Sequence, residues 1–293
     1  MTTAIATVAG LALIVAALRD IFDVLFHLEG RAVISGAIIR VVWRVVRRAA
    51  GARPSMFALA GPLGLLAVIG AWAVLIVVGW AVLLLPHLSS FRDAAGDPAD
   101  SGFLEALHIS LATLSTMGYG DVVPTSAWLR VIAPLEALIG FGLLTASVTW
   151  LFVVHPAVLR RRSLAYELWL LRQTGGVHDD APVVGESLLG ELISRIIVIE
   201  RDLVAIPSSY YFAEDDERFS LAAELPYLRR LARECKADRA DAGMIQRAHM
   251  LDTAIEDLLL TIARLLRRAE PFDADAALAD FARDHRRDLP DDA

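Results

Sequence analysis

The chain has 293 residues, 56% of them hydrophobic and 22% charged, with a net charge of −7 at neutral pH. Its mean hydropathy is positive, too apolar for an ordinary soluble domain, so the charge must be segregated from the apolar part. The acidic balance argues against a nucleic-acid partner, which needs a basic face; the single cysteine, Cys235, excludes an intrachain disulfide and reads as a small buried hydrophobe.

From Thr2 to Leu18 nearly every residue is apolar, and Arg19, Asp20, Asp23, His27 and Glu29 follow. The uncharged run barely reaches the roughly 20 residues that cross a bilayer, which predicts a tilted or polar-ended membrane helix over residues 1–28. Nothing basic precedes the run and no small-residue cleavage site follows it, so a signal peptide is the poorer reading. Residues 29–55 hold a basic amphipathic segment. On a helix, Arg40, Arg44 and Arg47 share one face while Ile38, Val41, Val42 and Val45 take the other, with Trp43 at the border. A voltage-sensing helix has similar spacing but needs countercharged partner helices, and only one apolar segment lies upstream. The better expectation is a helix on the cytosolic lipid surface, with Trp43 at the headgroups.

Met56–Leu85 carries no charge and predicts an outer membrane helix over 56–86. Arg31, Arg40, Arg44, Arg47, Arg48 and Arg53 precede it, whereas the loop Pro86–Ser101 sets Arg92 against Asp93, Asp97 and Asp100. The positive-inside rule puts the arginines in the cytosol and the acidic loop outside, where it either concentrates cations or serves solubility. Asp100 or Ser101 can cap the next helix, about Gly102–Ser115, which is too short to span. His108 within it reads as a packed histidine rather than a pH sensor.

That helix leads into Thr116-Met117-Gly118-Tyr119-Gly120-Asp121. Alternating glycines let the backbone straighten so that successive carbonyl oxygens face one side, a ladder that replaces the water around a cation. The motif resembles the Thr-Val-Gly-Tyr-Gly filter of potassium channels. With the apolar segments around it, over Phe57–Val154, the chain resembles a bacterial potassium channel subunit with one pore loop between two transmembrane helices. The resemblance implies an all-α membrane protein with the tetrameric potassium-channel pore fold, an extra N-terminal hydrophobic helix and a C-terminal cytosolic helical domain. It assigns potassium to the carbonyls of Thr116, Met117, Gly118 and Tyr119 and the Thr116 hydroxyl, with Gly120 completing the filter and Tyr119 and Asp121 bracing it. Met117 departs from the pattern: an unbranched side chain braces its backbone differently from the usual valine, which bears on strict selection of potassium over sodium.

The pore module covers 56–155, with pore helix and filter over 102–121 and the inner helix over 127–155. Trp128 marks the outer interface, and Arg160, Arg161 and Arg162 close the run. Glu136 lies about eight residues into the inner helix, so roughly 12 Å below its outer end. A carboxylate at that depth needs a partner; by family geometry Thr113 and Ser115 would donate to it and make it a filter brace. The alternative is that Pro134 distorts the helix and lets Glu136 reach outer water. Leu138, Phe141, Thr145 and Thr149 recur at three or four and make one stripe, which the resemblance turns towards the ion cavity. Gly140 and Gly142 allow either bending or close helix packing.

Residues 156–293 read as a cytosolic helical domain, with helices at Leu164–Arg172, Leu188–Val204, Leu221–Cys235 and Met244–Arg268 and a tail from about Arg283 too charged to bury. No Gly-x-Gly-x-x-Gly follows a strand, and no strand-rich cyclic-nucleotide module is visible. Its ligand or partner, over 163–293, is not named by any motif. His178, Asp179 and Asp180 could hold a metal, although a solvated linker is the simpler reading. One pore loop per chain cannot surround an ion, and no internal repeat supplies others, so a homotetramer is expected. The function expected is passive potassium conduction across a bacterial inner membrane, with lipid and potassium ions as partners and no cofactor. No nucleophile with a base, phosphate loop or zinc spacing suggests an enzyme. The alternative is a membrane-anchored sensor or scaffold with a non-conducting pore fold.

Overall fold

The computed structural model describes residues 2–26, 32–51, 53–175, 185–237, 242–266 and 272–288. His27, Glu29, Arg31 and the candidate donors His178, Asp179 and Asp180 lie outside the described residues. The chain divides into two compact units, one built from 1–27, 31–38 and 65–152, the other from 28–30, 39–64 and 153–293.

Among the described residues three stretches are long and apolar enough to cross a membrane: Thr3–Phe26, Pro54–Ser90 and Ala127–Thr174. The first is α1 (Thr2–Phe26); the second contains a short α3 (Pro54–Ala58), then α4 (Ala60–Leu84) and a 3-10 helix over Leu85–Ser90; the third is α6 (Ala127–Gly175). In the first unit α1 meets α4 at Gly10 and Gly79, where a Cβ on Gly10 would stand 2.5 Å from the Gly79 carbonyl oxygen. Small residues there let the two backbones approach. One turn and a half from its end, α1 buries Asp20. Its carboxylate accepts from the Ile34 and Ser35 N–H groups at 2.9 and 3.0 Å and from Trp72 Nε1 at 2.9 Å. The first turn of α2 (Val33–Ala49) is thus capped from another helix, which satisfies its free N–H groups and sets negative charge at the positive helix end.

Between α4 and α6 stands α5 (Phe103–Leu114), which has no side-chain cap, so neither Asp100 nor Ser101 fills that expected role. Strands β1 (Phe91–Asp93) and β2 (Val122–Pro124) pair antiparallel, Phe91 opposite Pro124. This ribbon ties the loop after α4 to the residues that follow the glycine motif.

The second unit holds α7 (Glu186–Ala205), a 3-10 turn at Pro207–Tyr211, α8 (Leu221–Ala237), α9 (Ala242–Leu265) and α10 (Ala274–Asp284). Leu192, Ile196, Leu225, Leu228, Leu251 and Leu258 lie in its core, and Cys235 is buried there too. Helix α6 does not stop near Val154. It absorbs the separate helix expected at Leu164–Arg172, because Leu164, Ala165 and Leu168 are buried against this core at unbroken helical spacing.

Two expectations are corrected here. Trp43 is only 3% exposed and packs on Phe57, Tyr211 and His285, with ring centroids at 4.7, 5.5 and 5.3 Å. The tryptophan side of α2, with Ile39 and Ala50, therefore faces protein and not headgroups; periodicity marks a buried face without naming what covers it. The described start of the charged tail is also not all left in water: His285, just after α10, is buried beside Phe281, and Arg287 donates to the Glu214 carbonyl oxygen and lies beside Ser220 and Glu217. Charge can be buried where each group finds a partner.

Burial, together with the positive charges of Arg161, Arg287 and Arg47, holds the His285 imidazole well below its ordinary 6.5. A depressed histidine contributes its stability above the unfolded value and loses it as pH falls below about 6.5 towards the folded value, by about 1.4 kcal/mol per pH unit. The melting temperature of the solubilised full chain should therefore drop between pH 6.5 and 5.5, and His285→Phe, which keeps a buried ring, should flatten that drop. Identical pH profiles for the two proteins would assign the acid sensitivity elsewhere.

Candidate functional site

The glycine motif starts where α5 ends. The Ser115 N–H donates to the Leu111 carbonyl oxygen, Thr116 N–H to Thr113, and both Met117 and Gly118 N–H groups to Ala112, each of the last two at 3.1 Å. The first motif residues thus close the final turn of the short helix and satisfy its end. Thr116, Gly118 and Gly120 take positive φ values of 57°, 50° and 73°. Left-handed backbone at every second residue explains the two glycines directly. At Thr116 it is a strained conformation for a residue with a Cβ, the kind of outlier that clusters at functional sites.

Two side chains of α5 meet the surroundings of the motif. His108 Nε2 lies 3.0 Å from Asp121 Oδ2, and its ring stacks on Tyr119 with 6.2 Å between centroids. That hydrogen bond draws the Asp121 carboxyl below its usual range. Instead of being packed away, His108 is 42% exposed at the side chain and bonded to the residue that ends the motif. On the other side Glu136 is buried, 1% exposed, and its Oε1 meets Ser110 Oγ, which also lies 3.0 Å from the Val77 carbonyl oxygen. Thr113 and Ser115 are not its donors: their hydroxyls bond back to Ile109 and Ala112 within α5. Nor does Pro134 open a route to water, since α6 runs unbroken past it. A helix presents residues three or four apart on one side, and Ser110 rather than Thr113 faces α6.

Gly140 sits on the end of α5. A Cβ there would lie 2.0 Å from the Leu114 carbonyl oxygen, whereas one on Gly142 would meet open space. Between bending and close packing, Gly140 is a packing glycine. Leu138 and Phe141 are 65% and 63% exposed in the single chain, and Thr145 and Thr149 are exposed on the same side of α6. Met117 and Tyr119 are likewise 60% and 66% exposed.

A half-length apolar helix ending in a left-handed glycine loop, set between two span-length helices, is the arrangement of a pore loop. Residues 67–154 match the family model described as "Ion channel". Over these residues the chain resembles a pore-loop ion channel. It is also 28% identical over 171 residues to "Uncharacterized membrane protein YdjJ" of Bacillus subtilis, covering 57% of this chain and 49% of that protein. A shorter similarity, 29% over 72 residues, is to "Two-pore potassium channel 5" of Arabidopsis thaliana, covering 25% of this chain and 18% of the plant protein. The chain thus spans about half the length of the first relative and less than a fifth of the second. No solved structure matches. The channel module and its apolar helices make this a membrane protein.

Sequence reasoning missed Ser110 and the pairing of His108 with Asp121. Thirteen residues separate the latter two, and only the turn from α5 into the motif brings them together. Nothing in the chain distinguished Ser110 from Thr113 or Ser115 before α6 was placed.

Proposed function

We propose that the chain is a subunit of a potassium-selective channel, in which four copies of Thr116-Met117-Gly118-Tyr119-Gly120 line one axis. The observation that carries this reading is the alternation of left-handed backbone at Thr116, Gly118 and Gly120 at the end of α5. Such alternation turns successive carbonyls to one side, where they replace the hydration shell of a dehydrated cation. Asp121 with His108, and Glu136 with Ser110, brace that loop. Leu138, Phe141, Thr145 and Thr149 line the cavity below it. The bare apolar groups of one chain, Met117, Tyr119, Leu138 and Phe141, support assembly, because surface of that kind calls for a partner. A homotetramer also follows from the single pore loop. The role is passive transport without a chemical step, in the inner membrane of a bacterium, with residues 163–293 in the cytosol as its regulatory or assembly domain.

Purified protein in lipid vesicles should take up rubidium down a potassium gradient, and sodium uptake should be at least about a hundredfold slower, a difference of roughly 2.7 kcal/mol. Equal sodium and rubidium uptake would remove the selectivity. No uptake of either would favour a membrane-anchored sensor or scaffold.

A further inference from the structure

The eight residues Pro207–Glu214 after α7 contact α6 at Arg161, α4 at Gly61 and α2 at Trp43. Arg161, on α6 after Val154, donates to the Ser209 carbonyl oxygen at 2.8 Å and to that of Phe212, and lies 3.6 Å from Glu214 Oε1. Its neighbour Arg162 lies 3.0 Å from Glu214 Oε2. The ring of Phe212 rests on Gly61 at the base of α4, so closely that a Cβ on Gly61 would stand 2.6 Å from it. Tyr210 and Tyr211 pack on Trp43 of α2, and the Tyr210 hydroxyl donates to Asp284 Oδ2 at 2.8 Å, the carboxylate that also holds Arg47 of α2.

These contacts differ in kind from the Leu and Ile packing of the domain core. The grip on α6 is polar and converges on one guanidinium, and the grip on α4 is one ring over one glycine. Arg161 and Glu214 are 6% and 9% exposed, so their solvation has been exchanged for these partners and neither is tolerated alone. The 3-10 turn Pro207–Tyr211 is a connector between α7 and the loop that reaches α8.

We propose that Pro207–Glu214 is a clasp that fastens the extension of the inner helix to the base of the outer helix, and that its release frees the inner helix to open the pore. The proposal rests on the channel reading above. It makes the helical domain act on both pore helices at one place, through Arg161 and Phe212.

The test uses the full-length protein in vesicles. The double variant Gly61→Cys/Phe212→Cys places two thiols across the contact; oxidation, in which the pair loses two hydrogens to form a disulfide, should lower rubidium flux about tenfold or more, and a reductant should restore it. Either cysteine alone should not respond. Phe212→Ala should raise flux about tenfold, equivalent to a shift of about 1.4 kcal/mol between closed and open states. A cross-linked protein, verified by mass, that conducts as the reduced one does would overturn the clasp. Hydrogen exchange supplies a readout independent of flux: in Phe212→Ala, amides of 57–64 and of 158–166 should exchange faster together. Faster exchange confined to 207–214 would also overturn it. Coupled exchange without flux even in the unmodified protein would sink the channel reading and leave the mechanical link standing.

Discussion

Gly118→Ala is expected to abolish rubidium flux while the helices and the assembly persist. Gly118 has φ +50°, and a Cβ there meets nothing within 4 Å in its own chain. The expected loss is therefore one of backbone conformation and not of crowding within the chain. A non-glycine residue in the left-handed region costs about 1–2 kcal/mol, and in the proposed tetramer four copies multiply that to roughly 4–8 kcal/mol. Rotating the peptide out of that conformation relieves the cost and turns a carbonyl away from the ion path. Flux should fall by at least about a hundredfold, with circular dichroism and cross-linked oligomer size unchanged. Flux at the level of the unmodified protein would mean that ions do not pass along this backbone.

Ser110→Ala is expected to damage the pore module more than Glu136→Leu does, although the carboxyl group attracts attention in the sequence. Without Glu136 the Ser110 hydroxyl still has the Val77 carbonyl oxygen at 3.0 Å. Without Ser110 the buried Glu136 loses its hydroxyl partner, and among the described residues no other hydrogen bond to its side chain replaces it. Leaving a buried polar group unpaired costs about 1–3 kcal/mol, and more if it is charged. Glu136→Gln, which keeps an acceptor and adds a donor, should be the mildest change. The melting temperature of the solubilised assembly and the ratio of rubidium to sodium uptake should both rank Gln above Leu at 136, and that above Ser110→Ala. The double variant Ser110→Ala/Glu136→Leu should recover part of the loss, since it removes the stranded group with its former partner. Strictly additive effects would show that the two side chains do not act as a pair.

The pore module was legible because its signals are local. An uncharged run at Met56–Leu85, a half-length helix, and glycines at every second position in Thr116–Gly120 each follow from the reach of a helix or from what a Cβ forbids. The helices at Glu186–Ala205, Leu221–Ala237 and Ala242–Leu265 were legible for a similar reason, since apolar residues recur there at three and four. Other features depended on residues far apart in the chain. Asp20 looked like the polar end of a membrane helix until α2 and Trp72 were brought to it. Trp43 looked like an interfacial anchor until Tyr210, Tyr211 and His285, more than 160 residues later, covered it.

What the sequence determined by itself is the chemistry of the backbone: which segments can cross a membrane, and where glycine frees the chain for a left-handed bend. Those depend on a residue and its near neighbours. The tertiary structure decided the partners. It gave Glu136 to Ser110, His108 to Asp121, Gly140 to the end of α5, and Arg161 to the carbonyls of Pro207–Glu214. A buried polar group is satisfied by whatever packing brings within about 3 Å. Several side chains in one helix can carry the same donor, and only the neighbouring helix selects among them.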